Sequence, residues 1–504
     1  MSTRRPHRLI LCNDGNAIAG PTREAPLGER GLVELAIDPL RDTLVDTLYW
    51  QLGTDPYFGT PTHRLTDHYS HATAVGPRWG AGTERFATAS EWRVYENTRE
   101  LIEAGTDPPA VLIEHGHRAG LQVFLSMRVN DVHDRNLPGG LDDPLMSPMK
   151  RDNRDWILGG EGMRRTACDF AVPAVRDYKL ALAEEAIDRY DLDGLDWDFC
   201  RVPVFFQPGE VGRGTALMTD LVGRLKASLA RKSERAGRPV LFSARVPGSL
   251  DGALAAGLDV RTWIERELID VVVVGHATGS RFRLPVEEYS AAARGTDVEV
   301  IAQNLGLFMQ PRPRWAGLLF GERDYYSTEM CRAVAAVHHR AGAHGLYLFN
   351  NHYLSVTRDA GYDRQPWREI ADPALIARRD KHYLVDQRET AGGPLPIALD
   401  GPGDRAELRI DIADDPGDGG QATLRLLIEQ LTARDEVAIE LNGAPLDPDR
   451  ARRRIHFNDA WLDLEVTGLL RQGWNALSVR VVSRNDRVGC ALSLSSVEVL
   501  VRYS

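Results

Sequence analysis

The chain of 504 residues is too long for one small hydrophobic core, so two or three domains are the default expectation. Its formal net charge of −11 argues against a general binder of nucleic acid or anionic membranes, because phosphate contacts need clustered cations. The five cysteines are dispersed without CxxC spacing, which indicates neither a disulfide framework nor a zinc knuckle and suits a reducing compartment.

The N-terminal segment, MSTRRPHRLILCND, has a basic start, but only LILC is apolar ahead of Asn13. A secretory signal needs an apolar region of about 7 to 15 residues, and a membrane span needs about 18. We therefore expect a cytoplasmic protein without a membrane partner, or a secreted one if a signal peptide has been removed.

Short apolar, β-rich runs then recur along the chain with helical patterns between them. The candidate strands are residues 8–14, 45–53, 121–131, 193–199, 239–247, 269–276, 298–306 and 345–351. Helical spacing of apolar residues is clearest in 213–236 and 325–341. Strands that alternate with helices imply a parallel sheet with right-handed crossovers. Eight such units predict an α/β fold, a (β/α)8 TIM barrel with long inserted loops.

The regular alternation ends near residue 395. Beyond it, short strands such as AELRIDI and WLDLEVTG alternate with turns rich in Asp, Gly and Pro, which predicts an all-β sandwich. We expect a catalytic barrel over residues 1–395 and a C-terminal β-sandwich over 396–504. The segment LLRQGWNALSVRVV resembles the turn and strand of galactose-binding-like jelly rolls that are appended to glycosidases.

Active residues of a barrel lie at the carboxyl ends of its strands. Those ends are unusually polar here, with amides, arginines, carboxylates and aromatic rings. Such groups suit a neutral ligand with many hydroxyls, such as a sugar. In chain order the ends offer Asn13, Asp14, Trp50, Gln51, Arg128, Asn130, Asp131, Asp196, Asp198, Arg245, His276, Gln303, Asn304, Asn350, Asn351 and His352.

The segment DGLDWDF, predicted as the fourth strand, carries two of these carboxylates. Alternation places Asp196 and Asp198 on one face and the apolar Leu195, Trp197 and Phe199 on the other. Residues two apart on a strand lie roughly 6 to 7 Å apart, near enough for each charge to affect the pKa of the other. Asp198, nearer the barrel mouth, is the candidate nucleophile or base for cleavage of a glycosidic bond. Asp196 beneath it is expected to have an orienting role in the site. Asp198→Asn is expected to abolish turnover and leave folding largely intact.

Glycoside hydrolysis also needs a general acid. Asp131 follows the third strand, next to the fourth, and is preferred; Glu322, after the seventh strand, is the alternative acid. Neither a metal ion nor a cofactor is expected, and a homo-oligomer is compatible with the sequence. The other residues expected to bind a carbohydrate substrate are Asp196, Arg128, Asn130, His133, Arg201, Trp50, Arg245, His276, Gln303, Asn304 and Asn350.

The stretch DGLDWDFCR resembles the fourth-strand motifs of several barrel glycosidases. In the chitinase-like family the pattern is D-G-x-D-x-D-x-E; this sequence matches its aspartates but has Cys200 in place of the final Glu. The α-galactosidase clan has a similar motif, which Trp197, Asp198 and Arg201 match; the resemblance implies that Asp198 is the nucleophile. The segments SMRVNDVHD, DGLDWDFCR and DPALIARRDKHYL together resemble bacterial barrels described only as glycosyl-hydrolase-like. This resemblance implies a sugar-active barrel.

Three functions stay open at this point. The first is a glycoside hydrolase that uses a carboxylate pair. The second is a carbohydrate-binding barrel without catalysis, since Cys200 replaces the chitinase Glu and no Asp follows the sixth strand. The third is a lyase or isomerase acting on a uronic acid, with His133 or His276 as base and arginines that bind the substrate carboxylate.

Overall fold

A computed structural model of the chain describes most of the sequence. The chain forms two compact units, the first comprising Met1–Thr278, Leu284–Gln303 and Gly342–Arg368, the second Gly279–Arg283, Asn304–Ala341 and Glu369–Ser504. The structure describes residues 6–15, 28–52, 97, 100–101, 104–136, 139–143, 146–277, 281–305, 326–351, 364–388, 392–417, 419–456 and 458–503.

Eight parallel strands of the first unit form a closed barrel in sequence order, so the predicted TIM barrel is confirmed. Every barrel strand lies within its predicted run. The strands are β1 (Leu9–Asn13), β2 (Thr47–Leu52), β3 (Gln122–Arg128), β4 (Gly194–Asp198), β5 (Leu241–Pro247), β6 (Val271–Gly275), β7 (Glu299–Gln303) and β8 (Gly345–Phe349).

Helices follow the strands, as the apolar spacing predicts. The long helix α5 (Val211–Ala236) buries a stripe that includes Met218, Leu221 and Leu225. It is capped by Gly237, whose φ of 64° suits a residue without Cβ. The described helices are α1 (Gly28–Ala36), α2 (Pro108–Arg118), α3 (Pro148–Asp152), α4 (Pro173–Arg189), α5 (Val211–Ala236), α6 (Leu250–Ala255), α7 (Val260–Glu265), α8 (Val286–Ala292), α9 (Thr328–Arg340), α10 (Gln365–Glu369) and α11 (Pro373–Ile376).

The interior of the barrel is filled by apolar and aromatic side chains from its strands. Parallel strands are buried on both faces, which is why they read as continuous apolar runs such as VVVV over 271–274. The interior cluster comprises Ile10, Cys12, Tyr49, Phe124, Leu241, Val271, Val273, Ile301, Tyr347 and Phe349.

Gly194, the first residue of β4, lets the Phe124 ring cross the barrel interior. A Cβ at position 194 would lie 2.1 Å from Phe124 Cε1. The ring has little room to move, because it stacks on Tyr49 at 4.8 Å between centroids and packs against His7 in a T-shaped arrangement at 5.3 Å between centroids. We expect Gly194→Ala to lower the free energy of unfolding by about 1–3 kcal/mol, measured by urea denaturation.

Gly223 provides the matched control for this substitution. It lies inside α5, and a Cβ there would meet nothing within 4 Å. Gly223→Ala should therefore raise the free energy of unfolding by about 0.5–1 kcal/mol, because alanine restricts the unfolded chain. A Gly194→Ala protein as stable as the wild type would contradict the packing described for Phe124.

The second unit contains two antiparallel sheets around a shared apolar core, which confirms the predicted C-terminal β domain. The strands are β9 (Lys381–Leu384), β10 (Ile397–Leu399), β11 (Arg405–Ile412), β12 (Gly420–Glu429), β13 (Glu436–Leu441), β14 (Ala444–Leu446), β15 (Arg452–His456), β16 (Asp459–Glu465), β17 (Gly473–Ser483) and β18 (Leu492–Tyr503). One sheet has the order β10-β18-β12-β16-β15, with β9 paired to β18, and the other has the order β11-β17-β13-β14.

Alternation explains why most of these strands were readable from the sequence. The residues of β11 alternate between exposed and buried along most of its length. The strands β9, β10 and β15 were not predicted. The strands β9 and β10 are only four and three residues long, and β15 is a largely exposed edge strand of sequence RRRIH, which has no apolar period. In the part of the chain that the structure describes, no helix combines the length and apolarity that crossing a membrane requires.

Candidate functional site

Strands β3, β4 and β5 place two layers of polar side chains inside the barrel. Their sequences at this level are SMR, DWD and SAR, and the parallel register aligns them residue by residue. Ser126, Asp196 and Ser243 form the lower layer; the upper layer comprises Arg128, Asp198 and Arg245. Alternation therefore gives a Ser–Asp–Ser layer beneath an Arg–Asp–Arg layer.

The carboxylate of Asp198 is held by donors on both oxygens. Its Oδ1 accepts the backbone N–H groups of Cys200 at 2.9 Å and Arg201 at 3.0 Å. Its Oδ2 accepts from Arg245 Nη1 at 2.7 Å. Asp198 is only 3% exposed. The turn that follows β4 thus fixes one oxygen, and the neighbouring strand β5 fixes the other.

Arg245 is fully buried and is anchored on every side. Besides Asp198, it donates to Gln303 Oε1 from Nε at 3.0 Å and to the backbone carbonyl of His276 at 2.6 Å. Its guanidinium lies 4.2 Å from the ring centroid of Phe349. Burial alone would lower the pKa of Arg245, but the Asp198 carboxylate, together with Cys200, Tyr347 and Cys12, outweighs this effect and raises that pKa. Arg245 is therefore a permanent cation in the barrel interior.

Asp196 lies one layer deeper and is completely buried. The hydroxyls of Ser126 and Ser243 donate to its two oxygens at 2.7 and 2.8 Å. Burial and the nearby charge of Asp198 raise the pKa of Asp196 from 3.8 to about 7. Near neutral pH this carboxyl is thus divided between its protonated and ionised forms, unlike an exposed aspartate.

Arg128 bridges two carboxylates from different loops. Its Nη2 donates to Asp14 Oδ1 at 2.7 Å and its Nη1 to Asp131 Oδ2 at 3.1 Å. Burial would lower the pKa of Arg128, but Asp14 and Asp131 outweigh it and raise that pKa. Asn350, in a left-handed conformation with φ of 56°, donates to Asp14 Oδ2 at 2.7 Å. The ends of β1, β3 and β8 therefore meet through this group.

Arg201 is half-buried beside this group. Burial and the nearby positive charge of Arg128 lower the pKa of Arg201, while the surrounding aspartates act in the opposite direction. The described mouth of the barrel thus combines three arginines, Arg128, Arg201 and Arg245, with the carboxylates of Asp14, Asp131 and Asp198.

Asn130 has a different set of contacts from these charged residues. Its Nδ2 donates to the backbone carbonyls of Cys168 at 3.0 Å and Val204 at 2.6 Å, and its Oδ1 accepts the N–H of Cys168 at 2.8 Å. The side chain therefore joins the end of β3 to the loops around residues 168 and 204.

Other predicted site residues are not all brought to this group. Trp50 is in register with Asn13 and Leu125 and is fully buried on the helix-facing side of β2, opposite to the inward face that carries Gln51. Asn304 donates to the backbone carbonyl of Cys331 at 3.1 Å. Glu322 lies outside the residues that the structure describes, as does the side chain of His133.

Sequence reasoning missed Ser126, Ser243 and Lys150. A signal for the serines was present, because SMR and SAR repeat a Ser-x-Arg pattern in the strands predicted on either side of DWD. Lys150 gave no local signal, since it lies in the short helix α3, within the segment between β3 and β4. Among the described residues, no group of three or more His, Cys, Asp or Glu side chains could hold a metal ion; Asp14 and Asp131 are joined by an arginine instead.

No model of a known protein family matches the sequence, and no curated protein sequence matches it. Among solved structures, a GH36 α-galactosidase from Geobacillus stearothermophilus in complex with raffinose is similar, with 13% identity and a TM-score of 0.39, covering 95% of this chain and 56% of that one. An α-amylase from Geobacillus thermoleovorans complexed with acarbose has 12% identity and a TM-score of 0.39, covering 95% and 99%.

An α-L-fucosidase from Paenibacillus thiaminolyticus has 13% identity and a TM-score of 0.40, covering 74% of this chain and 49% of that one. The chain spans about half the length of the α-galactosidase, 56% of it. These neighbours are glycoside hydrolases by name. At such TM-scores and identities the likeness carries no argument about catalysis or about individual residues.

Proposed function

We propose that this barrel is a glycoside hydrolase in which Asp198 is the nucleophile or, with an intervening water, the base. The observation that carries the proposal is the hydrogen bonding of Asp198, whose two carboxylate oxygens accept hydrogen bonds from Arg245 and from two backbone N–H groups. These donors fix the orientation of the carboxylate, which a nucleophile or base in this reaction requires.

The burial of so many charges also supports a functional role. Buried ion pairs contribute little net stability, because the cost of removing both charges from water offsets most of their attraction. Asp198 and Arg245 are 3% and 0% exposed, and Arg128 and Asp131 are both 8% exposed. A barrel that needed only stability would fill these positions with apolar side chains.

Asp131 is the preferred general acid, with Glu322 as the alternative. An acid must carry a proton before the bond breaks, and Asp131 contacts Arg128 at 3.1 Å. Arg128 also contacts Asp14 at the shorter distance of 2.7 Å. Protonation of Asp131 therefore leaves Arg128 paired with Asp14, so Asp131 can be neutral without leaving a buried arginine uncompensated.

The test of this proposal is a panel of activated aryl glycosides of different sugars and anomers. With the sugar that the wild type hydrolyses, Asp131→Asn should reduce kcat by about 10²–10⁴-fold for poor leaving groups and much less for good ones, because good leaving groups depart without a proton. Equal losses for all leaving groups would contradict the acid role of Asp131. A wild-type protein that hydrolyses no glycoside in the panel would contradict the proposed function itself.

A further inference from the structure

Lys150 is a buried cation that the proposed reaction does not use. It lies in the short helix α3, and its side chain is 0% exposed. Its Nζ donates to the backbone carbonyl oxygen of Asp131 at 2.8 Å and to Asp134 Oδ2 at 2.6 Å. An ammonium group in such a place is costly unless it is paired and hydrogen-bonded, and both conditions are met here.

The partner carboxylate is itself fixed. Thr166 Oγ1 donates to Asp134 Oδ1 at 2.5 Å, and both residues are almost completely buried. Lys150, Asp134 and Thr166 all belong to the segment between β3 and β4. Together they form a buried polar cluster, called the Lys150 cluster below, which contacts the proposed acid at the backbone carbonyl of Asp131.

The hydrogen bond from Lys150 Nζ to the Asp131 carbonyl oxygen restrains a short stretch of main chain. Asn130, the preceding residue, is tied to Cys168 and Val204 through its amide group. Asp131 is therefore held on one side by the Asn130 contacts and at its own carbonyl by Lys150. The Asp131 carboxylate accepts a hydrogen bond from Arg128. A shift of about 1 Å in a reacting group costs about 10²-fold in rate, so such restraint bears directly on catalysis.

We propose that Lys150 is a positioning residue that fixes the main chain of Asp131 and so keeps its carboxyl directed at the bond above Asp198. The inference rests on the proposed function, which makes Asp131 the acid. A lysine–aspartate pair buried in this way adds little net stability compared with apolar side chains of similar size. The cluster's contribution is the location of the Asp131 carbonyl.

The test uses Lys150→Met and the sugar identified in the aryl glycoside panel. We expect kcat to fall about 10–100-fold for poor leaving groups while KM changes less than about threefold, because the acid is displaced and the sugar contacts are not. The loss should shrink as the leaving group improves. A merely structural role would lower the amount of folded enzyme and reduce the rate equally for every leaving group.

Two further variants distinguish an effect of Lys150 on the position of Asp131 from an effect on the stability of the fold. The double variant Lys150→Met with Asp134→Leu leaves no unpaired charge, so it should recover stability but keep the rate loss on poor leaving groups. It also serves if Lys150→Met alone does not fold. Lys381 in the second unit is the matched control: it is 2% exposed, and its Nζ donates to the carbonyls of Ala377 and Arg379 and to Asp414 at 2.8 Å.

Lys381→Met should destabilise the protein to a similar degree and leave the leaving-group dependence unchanged. The inference is overturned if Lys150→Met behaves like Lys381→Met, or if the double variant regains wild-type rates. If Asp198→Asn abolishes turnover while Lys150→Met keeps wild-type rates, only the inference fails. If the wild type hydrolyses no glycoside, the proposed function and the inference fail together.

Discussion

Asp198→Asn should reduce kcat by about three orders of magnitude or more on any glycoside that the wild type hydrolyses. The amide cannot attack an anomeric carbon or take a proton from water, so either role of Asp198 is lost. Its remaining oxygen can still accept the N–H groups of Cys200 and Arg201, which keeps the local turn in place. The measurement is kcat and KM, corrected for the folded fraction.

The same substitution should also destabilise the protein, contrary to the expectation from the sequence that folding stays largely intact. Arg245 is completely buried, and an asparagine leaves its charge without the carboxylate partner. We expect the free energy of unfolding to fall by about 3–5 kcal/mol, measured by urea denaturation.

The control for that effect is the double variant Asp198→Asn with Arg245→Met, which removes the unpaired charge as well. It should recover stability without recovering turnover. Turnover by Asp198→Asn at more than a few per cent of the wild-type rate would remove Asp198 from the mechanism.

Asp196→Asn should stabilise the protein at alkaline pH. The carboxyl of Asp196 has a pKa of about 7 in the folded chain, against 3.8 when exposed. Between these values the folded state binds the extra proton, so this carboxyl stabilises the fold fully below about pH 4, and that contribution is lost as the pH rises through 7. Asparagine resembles the protonated carboxyl and is neutral at every pH.

The difference between 3.8 and about 7 corresponds to about 4 kcal/mol at most. We therefore expect Asp196→Asn to be more stable than the wild type by about 2–4 kcal/mol at pH 8 and to match it at pH 4, measured by urea denaturation at both values. The result at pH 4 is the internal control, because both proteins are then neutral at this position. A variant less stable than the wild type at pH 8 would show that the hydrogen bonds of Ser126 and Ser243 require the ionised carboxylate.

The fold was readable from the sequence because its signals are local. Each signal indicates which residues within a short stretch are buried. Examples are the continuous apolar run VVVV, the apolar stripe of α5 and the alternation of DWD. A strand that lacks such a pattern was missed: β15, of sequence RRRIH, is held at a sheet edge by pairing with β16. Its existence depends on a partner strand and leaves no apolar period to detect.

The candidate site was predictable only in part. Its residue types at the strand ends could be identified, and alternation correctly placed Asp196 and Asp198 on one face. The partners of those side chains could not be derived, because the contact between Arg245 and Asp198 depends on the register of two strands 47 positions apart. Trp50 illustrates the same limit: its burial on the helix-facing side follows from strand register and not from its place near a strand end.

The sequence by itself determined that this is a barrel followed by a β domain, and that polar residues gather at the strand ends. It did so because burial periodicity and turn residues act over a few positions. Only the tertiary structure decided how the charges pair: Asp198 with Arg245, Asp14 and Asp131 with Arg128, and Lys150 with Asp134. Electrostatic pairing depends on distance in space, which is set here by the register of neighbouring strands, the closure of the barrel and the course of the loops.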